Sequence, residues 1–203
     1  MKSITVNFEN LTESERKQLL KLVEKSNGGV ELSDIEAGET FKIGDIEFIK
    51  FSNENGVTTA ITKDILFESK FGESNNLAES EIINKLTNDF LPKIEAEIGA
   101  GNVLEFETDL TTLDGLKPYG TMTSKISIPT LDFYRKNVDI FDKYKVNKWW
   151  WLATPESAKP HDEPNYVLCV SPSGNISFNY YGNDIGVRPF LRFVSSISVS
   201  RGN

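Results

Sequence analysis

The sequence predicts an α+β fold in which helices pack on antiparallel sheet. Residues 41–62 and 166–194 contain short runs of alternating apolar and polar residues, separated by turns that contain glycine. This pattern is typical of antiparallel strands. Residues 75–99 instead repeat apolar side chains at helical spacing, which predicts a helix. We therefore expect antiparallel strands with two or three packed helices, plus a short N-terminal strand-helix unit.

The N-terminal segment begins with a strand pattern and continues with a helix pattern. Ile4, Val6 and Phe8 alternate with polar residues, as in a short strand. Thr12 and Glu15 form the T-x-x-E pattern of a helix-capping box. The predicted helix carries four apolar residues and ends before a glycine pair: Leu19, Leu20, Leu22 and Val23, then Gly28 and Gly29.

The glycine pair sets the predicted domain boundary. We expect residues 1–29 to form an N-terminal strand-helix arm and residues 30–203 to form a single α+β domain, which is long enough to bury a sizeable core. The arm is a candidate element for docking or homo-oligomerisation. The alternative is that its helix packs on its own domain.

Residues 41–62 predict a meander of three strands, because Gly44-Asp45 and Asn55-Gly56 are dipeptides that favour hairpin turns. The helical segment 75–99 places four apolar side chains on one face: Ile83, Leu86, Phe90 and Ile94. Pro92 predicts either a break there or the first turn of a second helix. The linking region 100–130 mixes Gly, Thr and Pro with short apolar pieces, and its DGLKPYG segment (114–120) predicts an ordered loop.

A third helix is predicted over residues 130–143, where four side chains share one face: Leu131, Tyr134, Val138 and Phe141. The segments VLCV (167–170) and ISFNYY (176–181) alternate across a Ser173-Gly174 turn, which predicts a hairpin. FLRFV (190–194) follows Pro189 and is predicted to be another strand.

All the tryptophans of the chain stand side by side, at positions 149–151. Successive side chains of an extended segment point in opposite directions, so we expect Trp150 on the opposite face from Trp149 and Trp151. Each indole buries a large area, and its N–H needs a partner. Because three adjacent indoles cannot all enter one core, one face of this run should meet another layer, a loop or a ligand.

Charge is concentrated in the first three quarters of the chain. Residues 1–148 contain 18 Lys and Arg against 26 Asp and Glu, whereas residues 149–203 contain 4 of each sign. An acidic body is repelled by phosphate backbones, so we expect no direct nucleic-acid binding. The simple interpretation of the acidity is solubility. The alternative is an acidic face that imitates nucleic acid and occupies a basic groove on another protein.

The sequence offers few residues for catalysis. His161 and Cys169 are the only residues of their types, and no nucleophile motif or phosphate-binding glycine loop accompanies them. We therefore expect no catalytic residues, no metal, no cofactor and no enzymatic activity, and we expect Cys169 to be a small core residue. An alternative calcium site would rest on Asp109, Asp114 and Asp132, although the EF-hand spacing is missing.

The C-terminal motifs occur in an order that resembles a known family. KWWWLATPES (148–157), a hairpin built around a Ser-x-Gly turn, and GVRP (186–189) resemble uncharacterised proteins from phages and prophages of Gram-positive bacteria. Three upstream segments are similar to the same family, so the resemblance spans nearly the whole chain: LTESERKQLLKLVEKSN (11–27), DLTTLDGLKPYG (109–120) and SIPTLDFYRK (127–136).

The resemblance implies a C-type-lectin-like domain, a scaffold shared with formylglycine-generating enzymes and with phage receptor-binding proteins. Those enzymes rely on cysteine chemistry, which Cys169 alone in the apolar VLCV segment does not reproduce. Arg188 is similar to the arginine of the family's GVRP motif. We expect it to be structural, with its guanidinium satisfying buried carbonyls or a carboxylate such as Glu156. Trp150 is expected to be structural as well.

The segment between the tryptophans and GVRP is rich in Tyr, Ser and Asn. Such a mixture is typical of paratopes, although edge strands and loops also need these residues for solubility. The residues that we expect to contact a partner are Trp149, Trp151, Glu156, His161, Asp162, Tyr166, Asn175, Asn179, Tyr180, Tyr181, Asn183 and Asp184.

The leading functional hypothesis is a noncatalytic, phage-encoded binding protein whose loops and hairpin near residues 153–184 recognise a protein or a glycan. The second hypothesis is an acidic intracellular inhibitor of a bacterial defence nuclease, of the anti-CRISPR or anti-restriction type. A cryptic enzyme is the third. The start of the chain lacks an export-signal pattern and no apolar stretch reaches membrane-spanning length. We therefore expect the bacterial host cytoplasm, or incorporation in the virion, and no membrane contact.

Overall fold

The computed structural model describes residues 11–16, 19, 29–158 and 165–202. Residues 13–16 and 19 are helical. The backbone N–H of Thr12 donates to Glu15 Oε2 at 2.8 Å, and the N–H of Glu15 donates to Thr12 Oγ1 at 3.3 Å. The predicted capping box is therefore confirmed. The predicted strand at residues 4–8 and the helix positions Leu20, Leu22 and Val23 lie outside the described residues.

The strands of the described residues are β1 Val30–Glu31, β2 Thr40–Ile43, β3 Ile46–Glu54, β4 Val57–Thr62, β5 Phe67–Ser69, β6 Phe106–Asp109, β7 Thr121–Ser124, β8 Ile126–Ser127, β9 Trp150–Pro155, β10 Tyr166–Val170, β11 Ile176–Tyr180, β12 Ile185–Val187, β13 Phe190–Val194 and β14 Ser198–Arg201. One sheet has the order β1-β14-β2-β3-β4-β13-β8, a second has the order β11-β10-β9-β12-β5, and β6 pairs with β7. The pairing is antiparallel except between β12 and β9. The predicted α+β class is confirmed at this level.

The helices of the described domain are α1 Glu81–Lys85, α2 Leu91–Ile98, α3 Leu131–Lys136 and α4 Val138–Lys143, with a π-helical turn at Leu86–Phe90 and 3₁₀ turns at Leu32–Asp34, Leu77–Glu79 and Ala100–Asn102. No helix in the part of the chain that the structure describes is long and apolar enough to cross a membrane.

The helix predicted over residues 75–99 begins later than its spacing suggested. Ser80 caps α1, with its Oγ accepting the N–H of Ile83 at 3.0 Å, so the preceding residues form a separate 3₁₀ turn. Pro92 lies in the first turn of α2, as one of the two alternatives predicted. Because proline lacks an N–H and its ring crowds the preceding turn, the chain widens into the π turn just before it.

The helix predicted over residues 130–143 is divided at Asn137, whose φ of -122° and ψ of 24° are not helical. The division shifts the face that α4 presents, so Val138 is exposed, contrary to the prediction, while Phe141 remains buried. The predicted meander is present as β2, β3 and β4. The linking region 100–130 contains β6, β7 and β8, which were not predicted, and the predicted loop DGLKPYG connects β6 to β7.

The described residues form two hydrophobic cores, and β9 contributes to both. Trp151 and Ala153 belong to the first core, with side chains of both larger sheets and of α1 and α2. Trp150 and Leu152 belong to the second core, with side chains of α3 and α4. Side chains on both faces of β9 are therefore covered by a core, which is why every residue of the strand is buried.

Candidate functional site

The hairpin of β10 and β11 lies at one end of the five-stranded sheet, with β11 as the edge strand. Six side chains of the hairpin share one face: Tyr166, Leu168, Val170, Ile176, Phe178 and Tyr180. Leu168 and Val170 are buried in the second core. The other four are exposed, so the core covers this face under β10 but does not extend across β11.

This exposed set, which we call the β11 stripe, consists of Tyr166, Ile176, Phe178 and Tyr180. Phe178 is 52% exposed, the largest value for a big apolar side chain among the described residues. Its ring meets the ring of Tyr166 edge-on at 5.3 Å. No charged residue occurs between positions 165 and 183. The stripe is thus an apolar and aromatic surface on a neutral hairpin.

The backbone of β11 also faces outward at alternate residues. Ser171 N–H donates to the carbonyl of Asn175, and Tyr181 N–H donates to that of Asn165. These two bonds show which residues of β11 are hydrogen-bonded to β10. The backbone N–H and C=O groups of the odd-numbered residues point towards β10, and those of the even-numbered residues point away from it. The N–H and C=O groups of Ile176 and Phe178 therefore point to the open side of the sheet.

The end of β11 at Tyr180 is closed by local hydrogen bonds. Tyr180 N–H donates to Oδ1 of Asn179 at 2.9 Å, and the same oxygen accepts from Asn183 Nδ2 at 2.7 Å. The carbonyl of Tyr180 accepts from Asn183 N–H at 3.0 Å. The side chain of Tyr180 stacks on Tyr181, with ring centroids 4.5 Å apart. Because the backbone groups of Tyr180 are occupied by these bonds, the open edge of β11 consists of Ile176 and Phe178.

The hairpin turn is held by α3 and by its own polar residues. Tyr134 donates its hydroxyl to the carbonyl of Gly174 at 2.7 Å. Gly174 has a φ of +89°, a conformation that favours glycine. Oγ of Ser171 accepts the N–H of Asn175 at 3.1 Å, and Asn175 Nδ2 donates to Ser173 Oγ at the same distance. These contacts fix the turn, so the β11 stripe rests on a rigid support.

Asn75 joins the segments on either side of residues 159–164. This asparagine is fully buried. Its Nδ2 donates to the carbonyl of Ser157 at 2.8 Å and to that of Tyr166 at 3.3 Å. Its Oδ1 accepts the hydroxyl of Tyr119 at 2.6 Å. One side chain therefore ties together four distant parts of the chain beside the hairpin.

The structure brings only some of the predicted contact residues together. Glu156 donates its N–H to the carbonyl of Tyr166, so it lies at the same end of the sheet as the pair Tyr180 and Tyr181. Asp184 follows Asn183 in the exposed turn at that end. Tyr181 is partly buried against the first core. His161 and Asp162 lie outside the described residues.

Trp149 and Asn175 lie at the opposite end of the sheet, where Val170 of β10 is paired with Trp150. Trp149 is 41% exposed. The expectation that Trp151 contacts a partner is wrong, because its side chain is fully buried. Its indole N–H donates to the carbonyl of Ser69 at 2.9 Å. The two cores cover both faces of β9, so neither face of this central strand is open to a ligand.

Arg188 is buried, as expected, and its guanidinium donates to backbone carbonyls rather than to Glu156. Nε donates to the carbonyl of Thr62 at 3.2 Å, and Nη2 donates to that of Lys63 at 2.8 Å. The guanidinium lies 5.0 Å from the centre of the Trp150 ring. Burial lowers the pKa of Arg188 to about 10, which leaves it charged at neutral pH. Trp150 and Arg188 together link β9, β12 and the end of β4.

The local sequence patterns did not mark Ile176, Phe178 and Asn75 as site residues. The alternation of Ile176, Phe178 and Tyr180 normally predicts a buried strand face, and only the position of β11 beyond the second core exposes it. Asn75 carried no signal, because its partners Ser157 and Tyr166 are 82 and 91 residues away in sequence. Their roles depend on tertiary packing rather than on a local pattern.

Cys169 and two of the aspartates considered for a calcium site have structural contacts. Cys169 is fully buried in the first core, as predicted, and burial raises the pKa of its thiol to about 12, so it is a poor nucleophile. Within residues 29–158 and 165–202, no group of three His, Cys, Asp or Glu side chains is arranged to hold a metal ion. Asp109 and Asp114 are instead bonded to Thr111 and Thr112.

No protein-family model, curated protein or solved structure shows a significant match to this chain.

Proposed function

We propose that the protein is a noncatalytic binding protein that contacts a protein partner through β11. The observation that carries this proposal is Phe178, an exposed aromatic side chain at the centre of a neutral edge strand. Natural sheets usually protect such edges with charges, proline or short strands. The other edge of the same sheet, β5, is only three residues long and contains Glu68. The exposure of β11 therefore has the character of an interaction surface.

The geometry favours an extended protein segment over a glycan as the partner. The outward N–H and C=O groups of Ile176 and Phe178 match those of an added strand, which gains affinity from main-chain hydrogen bonds. The β11 stripe then offers apolar contacts to alternate side chains of that segment. A glycan could contact the aromatic rings of the stripe, but it has no main-chain N–H and C=O groups to pair with those of Ile176 and Phe178.

The family resemblance suggests a more specific origin, fold and location. We propose a phage or prophage origin, a C-type-lectin-like domain at residues 30–203, and action in the bacterial host cytoplasm or as part of the virion. The fold proposal is supported by the pairing of β1 with β14, which joins the two ends of this segment. The N-terminal arm remains a candidate for homo-oligomerisation. Location of the gene among tail genes would favour the virion.

The inhibitor hypothesis finds less support in the distribution of charge. Several carboxylates of the acidic body have a lysine partner: Glu47 with Lys63, Glu95 with Lys125, and Glu73 and Glu81 with Lys70. The cations are therefore interspersed with the carboxylates, and the described surface is not an uninterrupted acidic array. Binding that weakens steeply with salt would instead favour the inhibitor hypothesis.

A displayed library of random peptides tests the proposal, because strand addition needs only an extended backbone and suitable alternate side chains. We expect selected peptides to contain alternating apolar residues. Ile176→Pro removes an outward N–H at an edge position, where proline is tolerated. We expect this change to weaken peptide binding at least about tenfold relative to wild type.

Ile176→Ala is the matched control, since it shortens the same side chain but keeps the N–H. We expect it to bind the selected peptides more tightly than Ile176→Pro does. The proposal is wrong if the two variants bind equally, or if no enriched peptide depends on β11. Circular dichroism and thermal unfolding of both variants check that the fold is intact.

A further inference from the structure

A cavity of about 400 Å³ lies between β6, the start of α3 and β13, away from the β11 stripe. Three of its lining side chains are phenylalanines, and the ring of Phe190 contacts the rings of both Phe106 and Phe133. Polar groups of Asp109, Thr111, Thr130 and Asp132 line other parts of it. The cavity therefore combines an aromatic side with hydrogen-bonding side chains, as small-molecule sites commonly do.

Arg192 lines this cavity and lacks the partners that arginine usually has. Its Nε is buried and has no hydrogen-bond partner among the described residues. Its guanidinium is 5.1 Å from the centre of the Phe106 ring. A buried N–H without an acceptor costs free energy, so each such group in a native protein calls for an explanation. A ligand that supplies an acceptor at Arg192 would satisfy it.

The contrast with Arg188 makes this group distinctive. Both arginines lie against aromatic rings, but Arg188 donates to the carbonyls of Thr62 and Lys63. The Nε–H of Arg192 has no such acceptor within the part of the chain that the structure describes. Arg192 also lines the neighbouring cavity beside Thr59 and Lys136, so its side chain lies between two cavities.

We infer that this cavity binds an acidic sugar, with Arg192 holding the ring carboxylate. The planar guanidinium matches a carboxylate in a two-point hydrogen bond. Phe106 and Phe133 offer apolar contact to the C–H side of a sugar ring, and the carboxylates of Asp109 and Asp132 are acceptors for its hydroxyl groups. This site involves none of the β11 residues and does not depend on the proposed function.

The surrounding charges favour a carboxylate over a phosphate. Glu107, Asp109 and Asp132 all line the cavity. The hydrogen bonds from Thr111 lower the pKa of Asp109, so this group is ionised at neutral pH. A dianionic phosphate would be repelled by these carboxylates more strongly than a single carboxylate would. Arg135, the other cation of the cavity, lies close to Asp132 at 3.8 Å.

A titration of the full chain with glucuronate tests the inference. The Nε–Hε resonance of Arg192 in a nitrogen-15 NMR spectrum reports directly on an acceptor at the buried donor. We expect glucuronate at about 10 mM, above a Kd near 1 mM, to shift this resonance. Glucose, which has the ring without the carboxylate, and acetate, which has the carboxylate without the ring, should each bind at least about tenfold more weakly.

Arg192→Lys keeps the charge but removes the planar fork, and we expect it to lower glucuronate affinity at least about tenfold. Arg201→Lys, on β14 and outside the cavity, is the matched control and should leave the affinity within about twofold. An unmoved Arg192 resonance in the wild-type protein would overturn the inference, whether or not the variants fold. So would binding of glucose, acetate or phosphate as tight as that of glucuronate.

Discussion

Trp150 and Trp151 are neighbours in sequence but belong to different hydrophobic cores, on opposite faces of β9. Trp150 packs against Phe141 of α4, with ring centroids 5.6 Å apart. Trp151 meets Phe71 at 5.5 Å on the other side. The central strand β9 thus connects the two cores, and it fixes the position of the hairpin that pairs with it.

Alanine substitutions of the three tryptophans should separate into two classes. We expect Trp150→Ala and Trp151→Ala each to lower the free energy of unfolding by about 3–5 kcal/mol, because each leaves a cavity in a core. Trp149→Ala should change it by less than about 0.5–1 kcal/mol, since much of that side chain is in solvent. Urea unfolding measures all three. A large loss for Trp149, or a small one for Trp151, would contradict the two-core arrangement.

Arg188 should resist both conservative and radical substitution. Arg188→Ala leaves the carbonyls of Thr62 and Lys63 without their donor, and we expect a loss of about 3 kcal/mol in unfolding free energy. Arg188→Lys keeps a charge but cannot place two donors in the same plane, so we expect a loss of at least about 1 kcal/mol. Thermal melting of the two variants checks this, and a parent-like melting temperature for Arg188→Ala would refute the structural role.

Asn75 and its neighbour Asn76 provide a matched comparison. Asn75→Ala leaves the carbonyl of Ser157 and the hydroxyl of Tyr119 without this partner, whereas the carbonyl of Tyr166 keeps the N–H of Glu156. We therefore expect a loss of about 2 kcal/mol in unfolding free energy. Asn76 only caps a 3₁₀ turn, through a bond of 3.2 Å from Ala78 N–H, and its alanine variant should lose about 1 kcal/mol or less. Equal losses in urea unfolding would show that Asn75 is not the joining residue described above.

Cys169 should be unreactive in the folded protein and should influence stability only at high pH. Its folded pKa of about 12 lies above its ordinary value of 9.0, so the protonated thiol favours the folded state. This contribution is complete below pH 9.0 and is lost as pH rises towards about 12, by at most about 1.4 kcal/mol per pH unit.

The thiol prediction is checked with a thiol reagent and with Cys169→Ala. We expect labelling of the native protein to follow unfolding rather than direct attack. Wild type should also lose stability faster than Cys169→Ala above pH 9.0. Rapid labelling of the native protein, or parallel stability curves, would show that the thiol is accessible.

Local patterns predicted the elements whose conformation depends on neighbouring residues. The Asn55-Gly56 and Ser173-Gly174 turns fixed two hairpins, and the alternation of adjacent tryptophans placed Trp150 opposite Trp151. Pro92 marked the irregular point between α1 and α2. In each case the signal lies within a few residues of the feature it determines.

Features that depend on packing between distant segments could not be predicted in this way. Lys50 is buried in the structure, where its Nζ donates to the carbonyls of Leu32 and Ile35 at 2.8 and 2.5 Å. Its sequence environment predicts only a strand. The exposure of Phe178 depends on where the second core ends. The helix predicted over residues 130–143 is divided at Asn137 into α3 and α4, and this division changes which side chains are buried.

Amide hydrogen exchange along β11 tests the central claim most directly. In the free protein, the amides of Ile176 and Phe178 should exchange quickly, while those of Ser177 and Asn179 should be slowed by their bonds to β10. Addition of a peptide selected for binding should slow exchange at Ile176 and Phe178. Peptide binding that leaves these two amides unprotected, or slow exchange at both in the free protein, would contradict the account.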